Sequence, residues 1–256
     1  MCRWLAYRGK GIYLDELLYK PERSLVHQSL EAAKAVTAVN ADGFGLCWYD
    51  NRDFPGTYHE VLPAWSDQNL RSLAHHINSH CFMAHVRAST GANTSRTNCH
   101  PFVYRDWAFM HNGQIGEFEQ VRYRLERSLP ENLFLEKKGQ TDSELIFLLM
   151  LKNGLTENPY DAMNQTVREI ELAMQERGVK EPFKASMCIS DGECFWGMRY
   201  SSHACPPPSL YYCELDDGIV LSSEPLQEDH SCWKPVPPQS FIKVYGKKHV
   251  ELAKLK

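Results

Sequence analysis

The hydrophobic period of the chain changes twice, and that order restricts the fold more than any single residue does. Short apolar runs come first. Cys2 to Tyr7 reads as a buried strand, residues 40–50 as a Gly-bounded turn entering a strand, Cys81 to Val86 as a fully buried strand and Trp107 to Met110 as another. Between them, Leu14, Leu17 and Leu18 mark a short helical turn. Ser66 caps a helix running to about His80, with Leu70, Leu73 and Ile77 on one face. Helical period then takes over. Glu117 to Leu129 is amphipathic, and Thr141 with Glu144 three residues on is a capping-box signal ahead of an apolar helix. Pro159 opens a further helix that Gly178 ends. From Phe183 the strands return. Asp191-Gly192 and Asp217-Gly218 are hairpin turns, a Pro-rich loop at 205–208 separates them, and Phe241 to Tyr245 is the last strand. Strands, then helices, then hairpins fit two sheets with helical layers outside. No linker divides the chain, so residues 2–256 are expected to form a single domain.

Composition narrows the partners. A net charge of -4 gives no reason to expect nucleic acid or an anionic membrane surface. The longest apolar run, Leu145 to Leu151, is too short to span a bilayer. Nine scattered cysteines with no secretory signal ahead of them read as free thiols in a reducing, cytoplasmic setting. No Cys-x-x-Cys or His-Glu-x-x-His occurs, and His75-His76 sit on a helix where neighbours point apart, so no metal site is expected.

Chemistry begins at Cys2. Removal of Met1 exposes a thiol and an α-amine at one locus. The amine, with an ordinary pKa near about 7.7–8.0, can accept the proton of a thiol at about 8.5. That is a nucleophile activated by an N-terminal amine. Asn112-Gly113, read as a turn after a buried strand, offers a side-chain amide and a closely approachable backbone N–H for an oxyanion; the same dipeptide also makes plain hairpin turns. Arg87, at a strand end, suits capture of a carboxylate or a surface ion pair. Asp142, just past the Thr141 cap, suits an ammonium group or the helix dipole. Together Arg87 and Asp142 would clamp both charged ends of a free α-amino acid. Cys188, Cys194 and Cys213 fall in strand-like runs as core thiols.

These features resemble the class II glutamine amidotransferases, a branch of the N-terminal nucleophile hydrolases. The resemblance rests on Cys2, the Arg87 segment, Asn98-Cys99-His100-Pro101, His111-Asn112-Gly113, Gln140-Thr141-Asp142-Ser143-Glu144 and Leu221-Ser222-Ser223-Glu224, in that order. The opening Cys-Arg-Trp-Leu and the Asn-Ala-Asp-Gly-Phe-Gly segment are most similar to small stand-alone members, among them the ergothioneine-pathway γ-glutamyl hydrolase and a glutathione-degradation subunit. Larger members carry His-Gly where Gly91 directly follows Thr90.

The resemblance implies an α+β fold, a four-layer αββα sandwich. It implies that Cys2 attacks the γ-carboxamide of glutamine or of a γ-glutamyl compound, without a cofactor. Asn112 and Gly113 would stabilise the oxyanion, Arg87 would hold the α-carboxylate and Asp142 the α-amine. The backbone of Ala88, Thr90 and Gly91 would line the pocket. Glu224 fits either a structural or a functional role. No synthase domain follows before Lys256, so either a separate ammonia-accepting partner or plain amidohydrolysis is expected. Two other readings remain at this point: a catalytically silent, glutamine-sensing subunit, and an N-terminal nucleophile acylase for other amides.

Overall fold

A computed structural model of the chain describes residues 2–34, 42–88 and 94–255. The first part holds β1 (Arg3–Tyr13), α1 (Asp15–Leu18), α2 (Leu25–Lys34), β2 (Phe44–Tyr49), β3 (Gly56–Glu60), α3 (Gln68–His76) and β4 (Asn78–Val86). Next come β5 (Phe102–Tyr104), β6 (Trp107–Gln114), α4 (Phe118–Glu126), α5 (Glu131–Phe134), α6 (Asp142–Lys152) and α7 (Pro159–Arg177). The last part is all strand: β7 (Lys184–Ser190), β8 (Cys194–Ser201), β9 (Tyr211–Leu215), β10 (Gly218–Ser222), β11 (Trp233–Pro235), β12 (Ser240–Tyr245) and β13 (His249–Lys254).

The strands form two antiparallel sheets. One runs β11-β9-β10-β1-β4-β2-β3 and the other β13-β12-β8-β7-β6-β5. Strand side chains alternate between faces, and here both faces are covered. Along β1, Trp4 and Ala6 point between the sheets while Leu5 and Tyr7 meet the helices α1 to α3. Along β6, Ala108 and Met110 point inward and Trp107 and Phe109 meet α4, α6 and α7. Three apolar layers therefore separate four layers of secondary structure, an αββα sandwich. The continuous apolar runs of β1, β4 and β6 have this cause: a strand buried on both sides has no polar phase to show.

Local signals were mostly placed correctly. The Thr141 hydroxyl caps α6 by accepting from Glu144 N at 3.1 Å, and Gly178 ends α7 in the left-handed region, φ 67°. Both Asp-Gly hairpins form, as β7–β8 and β9–β10.

Five expectations need correction. The strand read over Cys2 to Tyr7 continues to Tyr13, because β4 pairs with it as far as Asn78. Ser66 does not cap α3; Asp67 does, accepting from Leu70 N at 2.7 Å, and the helix stops at His76 so that residues from Asn78 can enter β4. His111-Asn112-Gly113 is strand rather than turn, since β7 pairs with β6 through Gly113↔Ala185. Phe241 to Tyr245 is followed by a further, largely exposed strand, β13. The capping box is half made: the Glu144 carboxylate takes Lys138 N and Gly139 N, at 2.8 and 2.7 Å, and so holds the preceding loop. In addition, Cys194 is only partly buried, unlike Cys188 and Cys213.

The layer between the sheets is the one on which the site is mounted. Met110→Ala in that layer, where Met110 is fully buried, is expected to lower the free energy of unfolding by about 2–5 kcal/mol. Urea unfolding measures it. A loss well under about 1 kcal/mol would mean that the layer collapses around the gap.

Candidate active site

The inward-facing positions turn polar at one end of the intersheet layer. Trp4 and Ala6 of β1 are preceded by Cys2, Cys81 and Met83 of β4 are followed by His85, and Ala108 and Met110 of β6 are followed by Asn112. Three strands thus deliver three polar groups to one spot. The Cys2 thiol lies against the Ala88 peptide, whose N–H donates to Sγ at 3.2 Å and whose carbonyl accepts from it at 3.4 Å. Asn112 Nδ2 donates to the Cys2 carbonyl at 2.9 Å, and Asn112 Oδ1 lies 3.1 Å from His85 Nε2.

Cys2, Arg87, Ala88, Gly113 and Asp142 line one cavity of about 390 Å³. Asn112 is buried. The Arg87 guanidinium is nearly fully buried, with Nη1 3.4 Å from the Asp42 carbonyl. Asp142 Oδ2 accepts from Ile115 N at 2.9 Å, and its Oδ1 accepts from Ser143 N at 2.8 Å and Ser143 Oγ at 3.3 Å. Gly113 has φ 143°, and a Cβ there would stand 1.9 Å from the Lys184 carbonyl, so the paired strand itself demands glycine. Thr90 and Gly91, expected in the pocket wall, and Met1, expected to be removed, lie outside the described residues.

Glu224 anchors the start of the chain. Its Oε1 accepts from Ser209 Oγ at 3.1 Å and faces Arg3 at 3.9 Å, while Arg3 Nη1 donates to the Cys2 carbonyl at 3.1 Å. Three histidines near the site escaped the sequence reading of candidates. His85 alternates in phase with buried apolar residues and carries no local signal. His100 and His111 stood in quoted motifs, but nothing in their spacing said that they would meet. His100 stacks on His85 with ring centroids 4.2 Å apart, and His111 Nδ1 lies 2.9 Å from Ser143 Oγ. Among the described residues, no group of three or more His, Cys, Asp or Glu could hold a metal ion. No helix among them is long and apolar enough to cross a membrane.

Comparison with known proteins gives a consistent family. Residues 20–206 match the model of the class-II glutamine amidotransferases. The chain is 32% identical to a protein named probable glutamine amidotransferase DUG3 of Saccharomyces cerevisiae, over 95% of this chain and 82% of that one. It is 26% identical to the γ-glutamyl-hercynylcysteine sulfoxide hydrolase of Mycobacterium tuberculosis, over 96% of this chain and 94% of that one. A solved glutamine aminotransferase class-II domain protein from Silicibacter pomeroyi superposes with a TM-score of 0.79 at 32% identity, covering all of both chains.

Burial sets the electrostatics. It pushes the Cys2 thiol above its ordinary pKa, against the pull of the Ala88 N–H and the Arg87 and Arg3 cations. Burial also pushes His85 down to about 3, His100 well below its usual range, and His111 down in spite of Asp142. A histidine whose folded pKa is depressed stays neutral in the fold while the unfolded chain takes up its proton. Its stability contribution is complete above the unfolded value near 6.5 and is lost as pH falls below it, by up to about 1.4 kcal/mol per pH unit for each ring. Unfolding free energies measured from pH 7 down to 5.5 are expected to fall with a slope of more than one proton. A flat profile over that window would show these rings protonated in the fold.

Proposed function

The chain belongs to the class II glutamine amidotransferases, and on that premise we propose that it is a γ-glutamyl amidohydrolase with Cys2 as nucleophile. One observation carries the reading: the Cys2 thiol, the Arg87 guanidinium and the Asp142 carboxylate line the same small cavity. A thiol, a buried cation and a carboxylate around one space suit a zwitterion whose far end bears a carbonyl. The α-carboxylate of a γ-glutamyl group would pair with Arg87. Its α-ammonium would meet Asp142, where the three donors already present use three of roughly four lone-pair directions.

With Met1 removed, the Cys2 α-amine takes the Sγ proton as sulfur bonds to the γ-carbonyl carbon, and the carbonyl electron pair moves onto oxygen. Asn112 Nδ2, which carries a second hydrogen beside the one given to the Cys2 carbonyl, and Gly113 N–H would stabilise that oxyanion. The intermediate collapses as the C–N bond breaks, and the leaving nitrogen takes the proton from the α-ammonium. A γ-glutamyl thioester remains. Water, deprotonated by the same amine, then releases glutamate and regenerates the thiol.

The leaving group is ammonia if the substrate is glutamine, and an amine if it is a larger γ-glutamyl compound. The name of the M. tuberculosis relative supports the second case. We take residues 2–256 as one catalytic domain, which hydrolyses its substrate alone or passes ammonia to a separate subunit.

Cys2→Ala is expected to abolish turnover while glutamine or γ-glutamyl amine binding, measured calorimetrically, survives. Arg87→Ala and Asp142→Ala are expected to raise KM by about tenfold or more with a smaller effect on kcat, because the clamp holds ground state and transition state alike. Unchanged KM in both would remove the clamp. A glutamine-mimicking diazoketone should leave its adduct on a des-Met N-terminal peptide, with excess glutamine protecting. An adduct on any other cysteine would reassign the nucleophile.

A further inference from the structure

Resting on that reading of Cys2 and Asn112, we propose that His85 is a positioning residue: it holds the Asn112 amide with nitrogen toward Cys2, so that the oxyanion donor is set before substrate arrives. A carboxamide fills nearly the same space in either of its two orientations, so its partners decide which one is populated. On one side of Asn112 stands the Cys2 carbonyl, which can only accept, 2.9 Å from Nδ2. On the other stands His85 Nε2, 3.1 Å from Oδ1. Turning the amide over would bring two oxygens together at the Cys2 carbonyl.

The observed arrangement needs a hydrogen on His85 Nε2, so amide orientation and imidazole tautomer are one choice. The bond spans the two sheets, from the inner face of β4 to the inner face of β6. His85 is 1% exposed, so water does not compete for Oδ1. Its ring is fixed by the His100 face, and His100 in turn meets Phe102 edge-on at 4.6 Å. Burial pushes His85 down to about 3, so the ring is held neutral near pH 7.

Without this partner only the Cys2 carbonyl would oppose the turned amide, which presents oxygen to a developing negative charge. The loss falls on kcat rather than KM, since the glutamyl clamp is elsewhere. The test uses substitutions that separate reach from size. The side-chain nitrogen of Gln extends to about the place of His Nε2, whereas that of Asn falls short. His85→Asn is expected to lower kcat by about tenfold to a hundredfold, part of what losing a whole oxyanion donor costs, with KM unchanged. His85→Gln should recover most of that loss. In an Asn112→Ala background, His85→Asn should add nothing.

Equal losses in the Asn and Gln variants, an effect on KM alone, or additive losses with Asn112→Ala would overturn the proposal. Should a variant fail to fold, nitrogen NMR of the wild-type histidines decides directly: an Nε2–H tautomer for His85 supports the proposal and an Nδ1–H tautomer overturns it. Cys2→Ala, assayed alongside, keeps the two levels apart. If it still turns over, the nucleophile assignment falls. If it is inactive while His85→Asn equals wild type, only the role of His85 falls.

Discussion

The structure depends on burying the first strand on both faces in the middle of a sheet. β1 lies between β10 and β4, with the second sheet on one side and helices on the other. A terminal strand would ordinarily fray. Here its first residues are fastened from the far end of the chain: Trp4 N donates to Ser223 Oγ at 3.0 Å, and the Trp4 carbonyl accepts from Ser223 N at 3.0 Å and Ser222 Oγ at 3.1 Å. The segment Leu221-Ser222-Ser223-Glu224 is thus a clamp on the residues beside Cys2. Cys2 directly precedes this strand, so its thiol stands at the edge of the intersheet layer.

The same arrangement explains why the site is polar only where it must be. Alternation along β1, β4 and β6 aims Cys2, His85 and Asn112 inward at one level. One step deeper the corresponding positions are Trp4, Met83 and Met110. Burying the polar level disfavours charge, which is why the thiol is raised and the imidazoles are lowered. The charged groups of the same cavity, Arg87 and Asp142, come from a strand end and a helix start. These two termini belong to different layers, and they meet only because the sheets are stacked.

Much of this was legible from local signals. Thr141, Pro159 and Gly178 placed two helices because caps and fixed φ values act over a few residues. The Asp-Gly dipeptides placed two hairpins for the same reason. The errors share another cause. Asn112-Gly113 reads as a turn in isolation, yet β7 pairs past it and makes it strand; the partner is some seventy residues away. Ser66 lost the cap to Asp67 because the neighbouring hydroxyl bonds the Pro63 carbonyl instead, at 2.9 Å. β13 and α2 were not recognised.

By itself the sequence determined the layer count and the family, since period, capping and ordered motifs are written in short stretches of chain. Tertiary structure decided which residues meet. That Cys2, Arg87 and Asp142 share a cavity, that Glu224 reaches Arg3, and that His85 faces the Asn112 amide are consequences of sheet register and stacking. Register is fixed by pairing between distant strands and by the phase of burial on both faces, and no local pattern in β4 or β6 announces where the partner's side chain will stand.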